Sequence, residues 1–272
     1  LKPSWLEPLA VGLGAGARPA GNACPGRPCR VSWMAAAPGE ETAAPGPGGS
    51  ELRLRWLPWR PDGPTLAPAL RHRYFALRHG ESEANVAGII ISDPAVGTVR
   101  YGLTPAGREG AARAVEAFAA AAPSAPGAPV VLVASDFART KETAEVFAQA
   151  LQASGFTAAP LRLATELRER RFGELEGGPN TRYEDAWAAD RVDPASEPHG
   201  SESALAVQRR TAGLVERLET ELPDDGSAVV LVSHGDALQL LQTAFRGVSA
   251  AEHRGLPHLS PAELRELVPR EP

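Results

Sequence analysis

Three short apolar runs stand out along the chain, each followed at once by polar residues or glycine. They are Arg73-Tyr74-Phe75-Ala76-Leu77-Arg78, Val130-Val131-Leu132-Val133-Ala134 and Ala228-Val229-Val230-Leu231-Val232-Ser233. Unbroken runs of this length predict strands buried on both faces, as in a parallel sheet. Between them the apolar positions recur at helical spacing. Thr104-Pro105 opens one helix with a hydroxyl cap and a proline in its first position, and this helix runs through Ala111, Val115 and Phe118 towards Pro123. A second helix covers about 138–154 and stops near Gly155. A third, over 203–222, carries Leu205, Leu214, Val215 and Leu218 on one side, and a fourth covers 237–245. The weaker apolar run 157–163 is a further candidate strand. Segment 81–102, with Gly88, Asp93-Pro94 and Gly97, reads as a loop, 123–129 as a linker, and 174–200, polar with Pro179, Pro194 and Pro198, as an irregular cap. Strands alternating with helices predict an α/β fold, a three-layer sandwich whose mainly parallel central sheet is flanked by helices.

Composition separates the first part of the chain from the rest. Residues 1–72 are dense in Pro, Gly and Ala without sustained periodicity and are expected to be mostly disordered, although Trp56, Leu57 and Trp59 could dock back. Residues 73–272 are expected to form one domain. Residues 1–33 hold Lys2, Arg18, Arg27 and Arg30 against Glu7 alone, which suits part of an organelle transit peptide. The preferred reading is that translation starts at Met34, the only methionine, which gives a cytoplasmic protein, with a plastid or other organelle as the alternative. From Met34 onward the chain carries 24 basic and 32 acidic side chains, a net of −8 against −5 for the whole. An acidic balance gives no reason to expect nucleic acid or an anionic membrane as partner. No apolar run approaches the ~20 residues of a membrane span. Cys24 and Cys29 both precede Met34, so the remainder has no thiol for a disulfide, a metal site or a nucleophile. The oligomeric state is left open.

Candidate chemistry gathers where the strands end. The first apolar run leads into His79-Gly80, the third into His234-Gly235, and the second into Ser135-Asp136-Phe137-Ala138-Arg139. In an open α/β sheet, ligands bind at the C-terminal edge of the strands. An arginine fork grips phosphate and an imidazole attacks phosphorus, while Gly80 removes a side chain where backbone and ligand come close. If the three edges are neighbours, Arg78, His79, Arg139 and His234 converge on one spot. Such a set supplies the nucleophile and the positive charge that phosphate-ester cleavage requires without a metal.

The run Leu77-Arg78-His79-Gly80-Glu81-Ser82-Glu83-Ala84-Asn85 resembles the opening motif of the histidine phosphatase superfamily, which includes the cofactor-dependent phosphoglycerate mutases. Later segments are similar to that family in the same order. Gly102 to Gly107 resembles its first helix entry and Ser135 to Thr143 its second arginine motif. Leu167 to Gly173 with Glu176-Gly177 resembles its acid loop, and Ser233-His234-Gly235 its second histidine. The resemblance covers about 73–250 and is nearest to plant and algal phosphoglycerate-mutase-like proteins, through the segments Arg168 to Gly173 and His234 to Thr243. It implies a phosphoglycerate-mutase-like fold and a catalytic set of His79, Glu169, His234, Arg78 and Arg139. In that set His79 takes the phosphoryl group, Glu169 is the proton donor, and Arg78, Arg139 and His234 clamp the phosphate, His234 as imidazolium. Arg78, Asn85, Arg139 and His234 bind substrate, Asn85 through its amide. No metal or other cofactor is implied.

Other residues receive weaker readings. Ser82 and Ser135 are expected to hold loop backbone. Arg168, Arg170 and Arg171 read as a solvated basic face, with the alternative that one or two reach the far end of an anionic substrate. His199, His253 and His258 receive no role. The expected activity is a metal-independent phosphatase acting on a small phosphorylated metabolite through a phosphohistidine. The alternatives are a phosphoglycerate mutase and a non-catalytic binding protein. A mutase must shelter its phosphohistidine from water, and the short stretch from Glu169 to Gly200 leaves little material for that. The tail 253–268, with Leu256, Leu259, Leu264 and Leu267, is the part that could close over the pocket.

Overall fold

The computed structural model describes residues 63–67, 69–121 and 128–270, all within one compact unit, Leu54–Pro272. Among them β1 (Arg73–Arg78), β2 (Val130–Ala134), β3 (Arg162–Leu163), β4 (Ala228–Ser233) and β5 (Leu264–Leu267) form a sheet of order β3-β2-β4-β1-β5. The first four lie parallel and β5 runs antiparallel along β1. The expected mainly parallel sheet is therefore present. The register pairs Arg78 with Ser233 and Ala134 with Val232, so His79, His234 and Ser135 leave neighbouring strands at one level. Two bonds extend the ladder there: His79 N–H donates to the Ser233 carbonyl at 2.9 Å, and Ser135 N–H to that of Val232 at 3.0 Å.

Alternation along each strand builds the two cores. Tyr74, Ala76, Val131, Val133, Val229 and Leu231 point to one side, and Phe75, Leu77, Leu132, Val230 and Val232 to the other. The helices are α1 (Glu83–Ala87), α2 (Pro94–Gly97), α3 (Pro105–Ala121), α4 (Ala138–Ala153), α5 (Tyr183–Asp190), α6 (Ala204–Glu221) and α7 (Gly235–Arg246). α3 and α4 cover the Phe75 face, with Phe118 and Phe147 packed edge to face. α6 and α7 cover the Tyr74 face through Leu214, Leu218, Leu238 and Leu241. Two helical layers enclosing one sheet give the three-layer sandwich.

Several segments carry more structure than their pattern suggests. The loop 81–102 contains α1 and α2, each with a side-chain cap, from Ser82 and Asp93. The cap 174–200 contains α5, held by tertiary contacts rather than by an apolar stripe. Of the candidate strand 157–163 only Arg162–Leu163 forms a ladder, with Ala158 making an isolated bridge to Val130. The tail closes the β1 edge as β5. Disorder expected over 1–72 falls mainly on 1–62, outside the described residues. Within 63–72, the buried Leu66 joins the Tyr74-face core and donates its N–H to the Ala244 carbonyl at 3.2 Å. Among the described residues no helix is long and apolar enough to cross a membrane.

Candidate active site

The site lies at the C-terminal edge of β1, β4 and β2, where each strand hands over to a loop or helix. His79 follows β1 and is 3% exposed, so its contacts are all with protein. Its Nδ1 donates to the Gly80 carbonyl at 2.8 Å, which fixes the tautomer and leaves Nε2 as an unprotonated acceptor. Arg139, in the first turn of α4, points its single Nε–H between the two imidazoles, 3.2 Å from His79 Nε2 and 3.2 Å from His234 Nδ1. His234, the residue before α7, then carries its proton on Nε2, 3.1 Å from Ser135 Oγ. The two rings lie edge to face with centroids 5.2 Å apart. The four residues expected to converge do so, and the N-termini of α4 and α7 add partial positive charge.

Both arginines of the set lack a carboxylate partner among the described residues. Arg78 Nη1 donates to His258 Nε2 and to the Leu259 carbonyl, each at 2.8 Å. Arg139 Nη2 donates to the Ile91 carbonyl at 3.0 Å. Arg78 Nε and Arg139 Nη1 are buried with no hydrogen-bond partner among the described residues. A buried guanidinium N–H left unpaired costs free energy that an anion would recover. Burial lowers Arg78 from its ordinary value and takes Arg139 down to about 10, which leaves Arg139 charged at neutral pH.

Burial first and Arg139 second hold both histidines well below their ordinary range. For His79 this favours the neutral ring, with Nε2 unprotonated. For His234 it is the reverse of the imidazolium expected from the sequence, because burial and the Arg139 charge favour the neutral ring. Glu169 shifts the other way. Burial, followed by the Asp236 charge, raises its carboxyl above the usual range. Its Oε1 accepts from the backbone N–H groups of Arg170 (3.0 Å) and Ala237 (3.1 Å), which hold the acid at the start of α7. Arg210 secures the acid loop from α6, donating to the carbonyls of Glu166, Arg168 and Glu169 while paired with Glu202 at 2.8 Å.

Other expectations are met differently. Asn85 is exposed and closes the capping box of α1, its Oδ1 accepting from Ser82 N–H and Oγ at 3.0 Å each, which leaves its amide N–H groups free of that box. Gly80 is needed for a helix rather than a ligand, since a Cβ there would stand 2.4 Å from the Gly107 carbonyl oxygen in α3. Ser82 caps α1, and Ser135 touches His234 directly.

The basic triplet is a solvated face only in part. Arg171 is exposed, but Arg168 pairs with Asp136 through Nε (2.8 Å) and Nη2 (2.6 Å). Arg170 is fully buried and pairs with Asp190 and Asp236, because the chain turns inward beneath Glu169. A cleft of about 340 Å³ opens beside Glu169, with Ser92, Thr165, Arg168 and Arg171 on its walls.

Sequence reasoning missed four contributors. Thr143 Oγ1 accepts from Gly80 N–H at 3.1 Å and donates to the Arg139 carbonyl at 2.6 Å, tying the two halves of the site together. Tyr183 of α5 stacks on Trp187 and packs against Phe172, and burial and then the Glu169 charge push its phenol up. Asp236 holds Trp187 Nε1 at 2.9 Å. His258 reaches Arg78 from the tail. Thr143 lay inside a recognised motif and was the one within reach of sequence reading.

Residues 74–271 match the profile of the histidine phosphatase superfamily, branch 1. The chain belongs to that superfamily. This histidine phosphatase is 31% identical over 185 residues to a glucosyl-3-phosphoglycerate phosphatase of Mycolicibacterium vanbaalenii, covering 65% of the present chain and 75% of the relative. It is 34% identical over 131 residues to a probable phosphoglycerate mutase of Salmonella arizonae, covering 46% and 57%. Among solved structures it is similar to a mycobacterial glucosyl-3-phosphoglycerate phosphatase in complex with VO3. The TM-score is 0.57 at 28% identity, with 72% of the present chain and 92% of the other covered.

Proposed function

We propose that this enzyme hydrolyses a small phosphorylated metabolite through a phosphohistidine on His79, without a metal. The observation that carries the reading is the unprotonated Nε2 of His79, facing Arg139 and set beside two buried guanidinium groups with unpaired N–H donors. Nε2 attacks phosphorus as the ester P–O bond breaks, and protonated Glu169 gives its proton to the leaving oxygen. Arg78, Arg139 and His234 balance the charge on the equatorial oxygens. Water then attacks phosphorus as the P–N bond breaks and returns its electron pair to Nε2, ionised Glu169 takes a proton from the water, and inorganic phosphate leaves. The cleft beside Glu169 receives the leaving group, with Arg171 facing any carboxylate on it. That arrangement suits a phosphoglycerate bearing a further substituent, the kind of compound named for the mycobacterial relatives. Asn85 donates its amide at the edge of the phosphate site. The cysteine-free chain from Met34 suits a reducing compartment, the cytoplasm.

The test is rapid quenching of enzyme with p-nitrophenyl phosphate. Wild type is expected to give an acid-labile, base-stable phosphoenzyme and to keep its activity in excess EDTA. His79→Ala is expected to give neither phosphoenzyme nor turnover, and full activity in that variant would refute the mechanism. The Salmonella relative favours a second reading, phosphoryl transfer within phosphoglycerate. Supplying 3-phosphoglycerate with catalytic 2,3-bisphosphoglycerate separates the two, since a mutase forms 2-phosphoglycerate with little free phosphate.

A further inference from the structure

Arg78 is fixed from the far end of the chain. Both of its tail contacts use Nη1 and come from consecutive residues, the His258 ring and the Leu259 carbonyl. That leaves the edge formed by Nε and Nη2, with Nε buried and unpaired among the described residues. Arg168 uses the same edge to grip Asp136 in a two-point contact. We propose that His258 is a positioning residue for Arg78. It is a neutral acceptor that aims the free edge of the guanidinium at the phosphoryl group without cancelling its charge. The proposal rests on the functional reading above, which gives that edge its ligand.

Three observations support it. First, the segment bearing His258 is held in place. Arg265 donates to the carbonyls of Pro257 (2.7 Å) and His258 (3.1 Å), Gln242 of α7 to that of Pro257 (3.3 Å), and Leu259 is fully buried. Arg78 N–H donates to the Glu263 carbonyl at 3.1 Å, so the strand end and the tail are joined through the backbone as well. Second, the ring packs where room is shortest. A Cβ on Gly235, the first residue of α7, would meet His258 Cε1 at 3.0 Å and Arg78 Cζ at 3.3 Å. Third, the ring is neutral. Burial, then Arg78 and Arg254, lower its pKa to about 4 against the opposing charges of Asp236 and Glu263. Its Nε2 is therefore an acceptor at neutral pH. A carboxylate in that place would hold Arg78 as well and cancel the charge the phosphate needs, as Asp136 does for Arg168.

The experiment compares wild type with His258→Ala, His258→Gln and His258→Glu. It reads kcat/KM on p-nitrophenyl phosphate, inhibition by inorganic phosphate, melting temperature, and the imidazole ¹⁵N shifts of the wild type. With melting temperatures unchanged, the alanine variant is expected to lose about 10- to 100-fold in kcat/KM, the usual cost of removing a group that orients a catalytic one. Glutamine, whose carbonyl can accept from Nη1, is expected to restore most of the loss. Glutamate is expected to weaken phosphate inhibition more than alanine does. The ¹⁵N shifts are expected to show an unprotonated Nε2 that responds to Arg78→Lys. Alanine equal to wild type, glutamine no better than alanine, or glutamate inhibited as wild type would each overturn the proposal. A wild type without turnover would refute the functional reading alone. The ¹⁵N response to Arg78→Lys would then decide the positioning role, its absence overturning it.

Discussion

Burial and the Asp236 charge raise the pKa of the Glu169 carboxyl, and this has two separable consequences. Glu169→Gln retains the acceptor for Arg170 and Ala237 but has no proton to give, so kcat on alkyl phosphates is expected to fall ~10²–10⁴-fold. The loss on p-nitrophenyl phosphate is expected to be much smaller, since that leaving group hardly needs a proton. Equal losses on both would move the acid elsewhere. The second consequence is for stability. A carboxyl whose folded-state pKa is raised contributes stability that is fully present below its unfolded pKa and lost as pH rises through the folded one. Glutamine removes that loss, so the variant is expected to melt higher than wild type at pH 8 and by less of a margin at pH 4. The histidine pair makes a further prediction. Burial and Arg139 hold both rings neutral, and a dianion placed between them favours the imidazolium of His234. Phosphate binding at neutral pH is therefore expected to take up a proton. Calorimetry in buffers of different ionisation enthalpy measures this directly, and zero uptake would mean His234 stays neutral. The candidates His79, Arg139, Glu169 and His234 were legible in the sequence because each lies within a short motif of its own. His258 was not, because it lies 180 positions from Arg78 and nothing local marks it.

Among the elements, α5 was the hardest to foresee. Its sequence, YEDAWAAD, offers little apolar periodicity, and it lies in a stretch broken by prolines. What holds it is tertiary. Arg170 pairs with Asp190 at 2.5 and 2.8 Å, Trp187 donates to Asp236, and Arg254 lies over the Trp187 ring at 3.7 Å. Residues from the acid loop, from α5 and from α7 thus share one buried charge cluster directly behind Glu169. Asp190→Ala leaves the wholly buried Arg170 with one fewer carboxylate, and breaking such a pair costs about 3–5 kcal/mol. The expected result is a lower denaturant midpoint together with lower kcat, since Tyr183 and Glu169 lose their common support. Unchanged stability would mean Asp236 alone satisfies Arg170. The strands and long helices, by contrast, were legible because their apolar spacing reports burial directly.

At the scale of the molecule, the packed body extends towards the N-terminus beyond Arg73. Leu66 is 2% exposed among Tyr74-face core residues, so Leu66→Ala is expected to cost about 2–5 kcal/mol with kcat of the folded fraction unchanged. A shift smaller than the error of a urea melt would return the boundary to Arg73. Composition could not reveal this, because one leucine in a proline-rich stretch has no periodic partner. The tail, the part that could have closed over the pocket, instead contributes β5 and the grip on Arg78.

The strand order has a consequence for how the protein is made. β1 leaves the ribosome first, yet its two neighbours are β4 and β5, and the ladder to β4 joins residues roughly 150 positions apart. At ordinary synthesis rates β1 waits about 10–30 s for its first partner, both of its backbone edges open. The strand that leads into His79 is thus left unpaired for longest, which exposes it to aggregation in the cell. Nascent chains ending before Ala228 should bind chaperones through it and show no trace of the finished pocket.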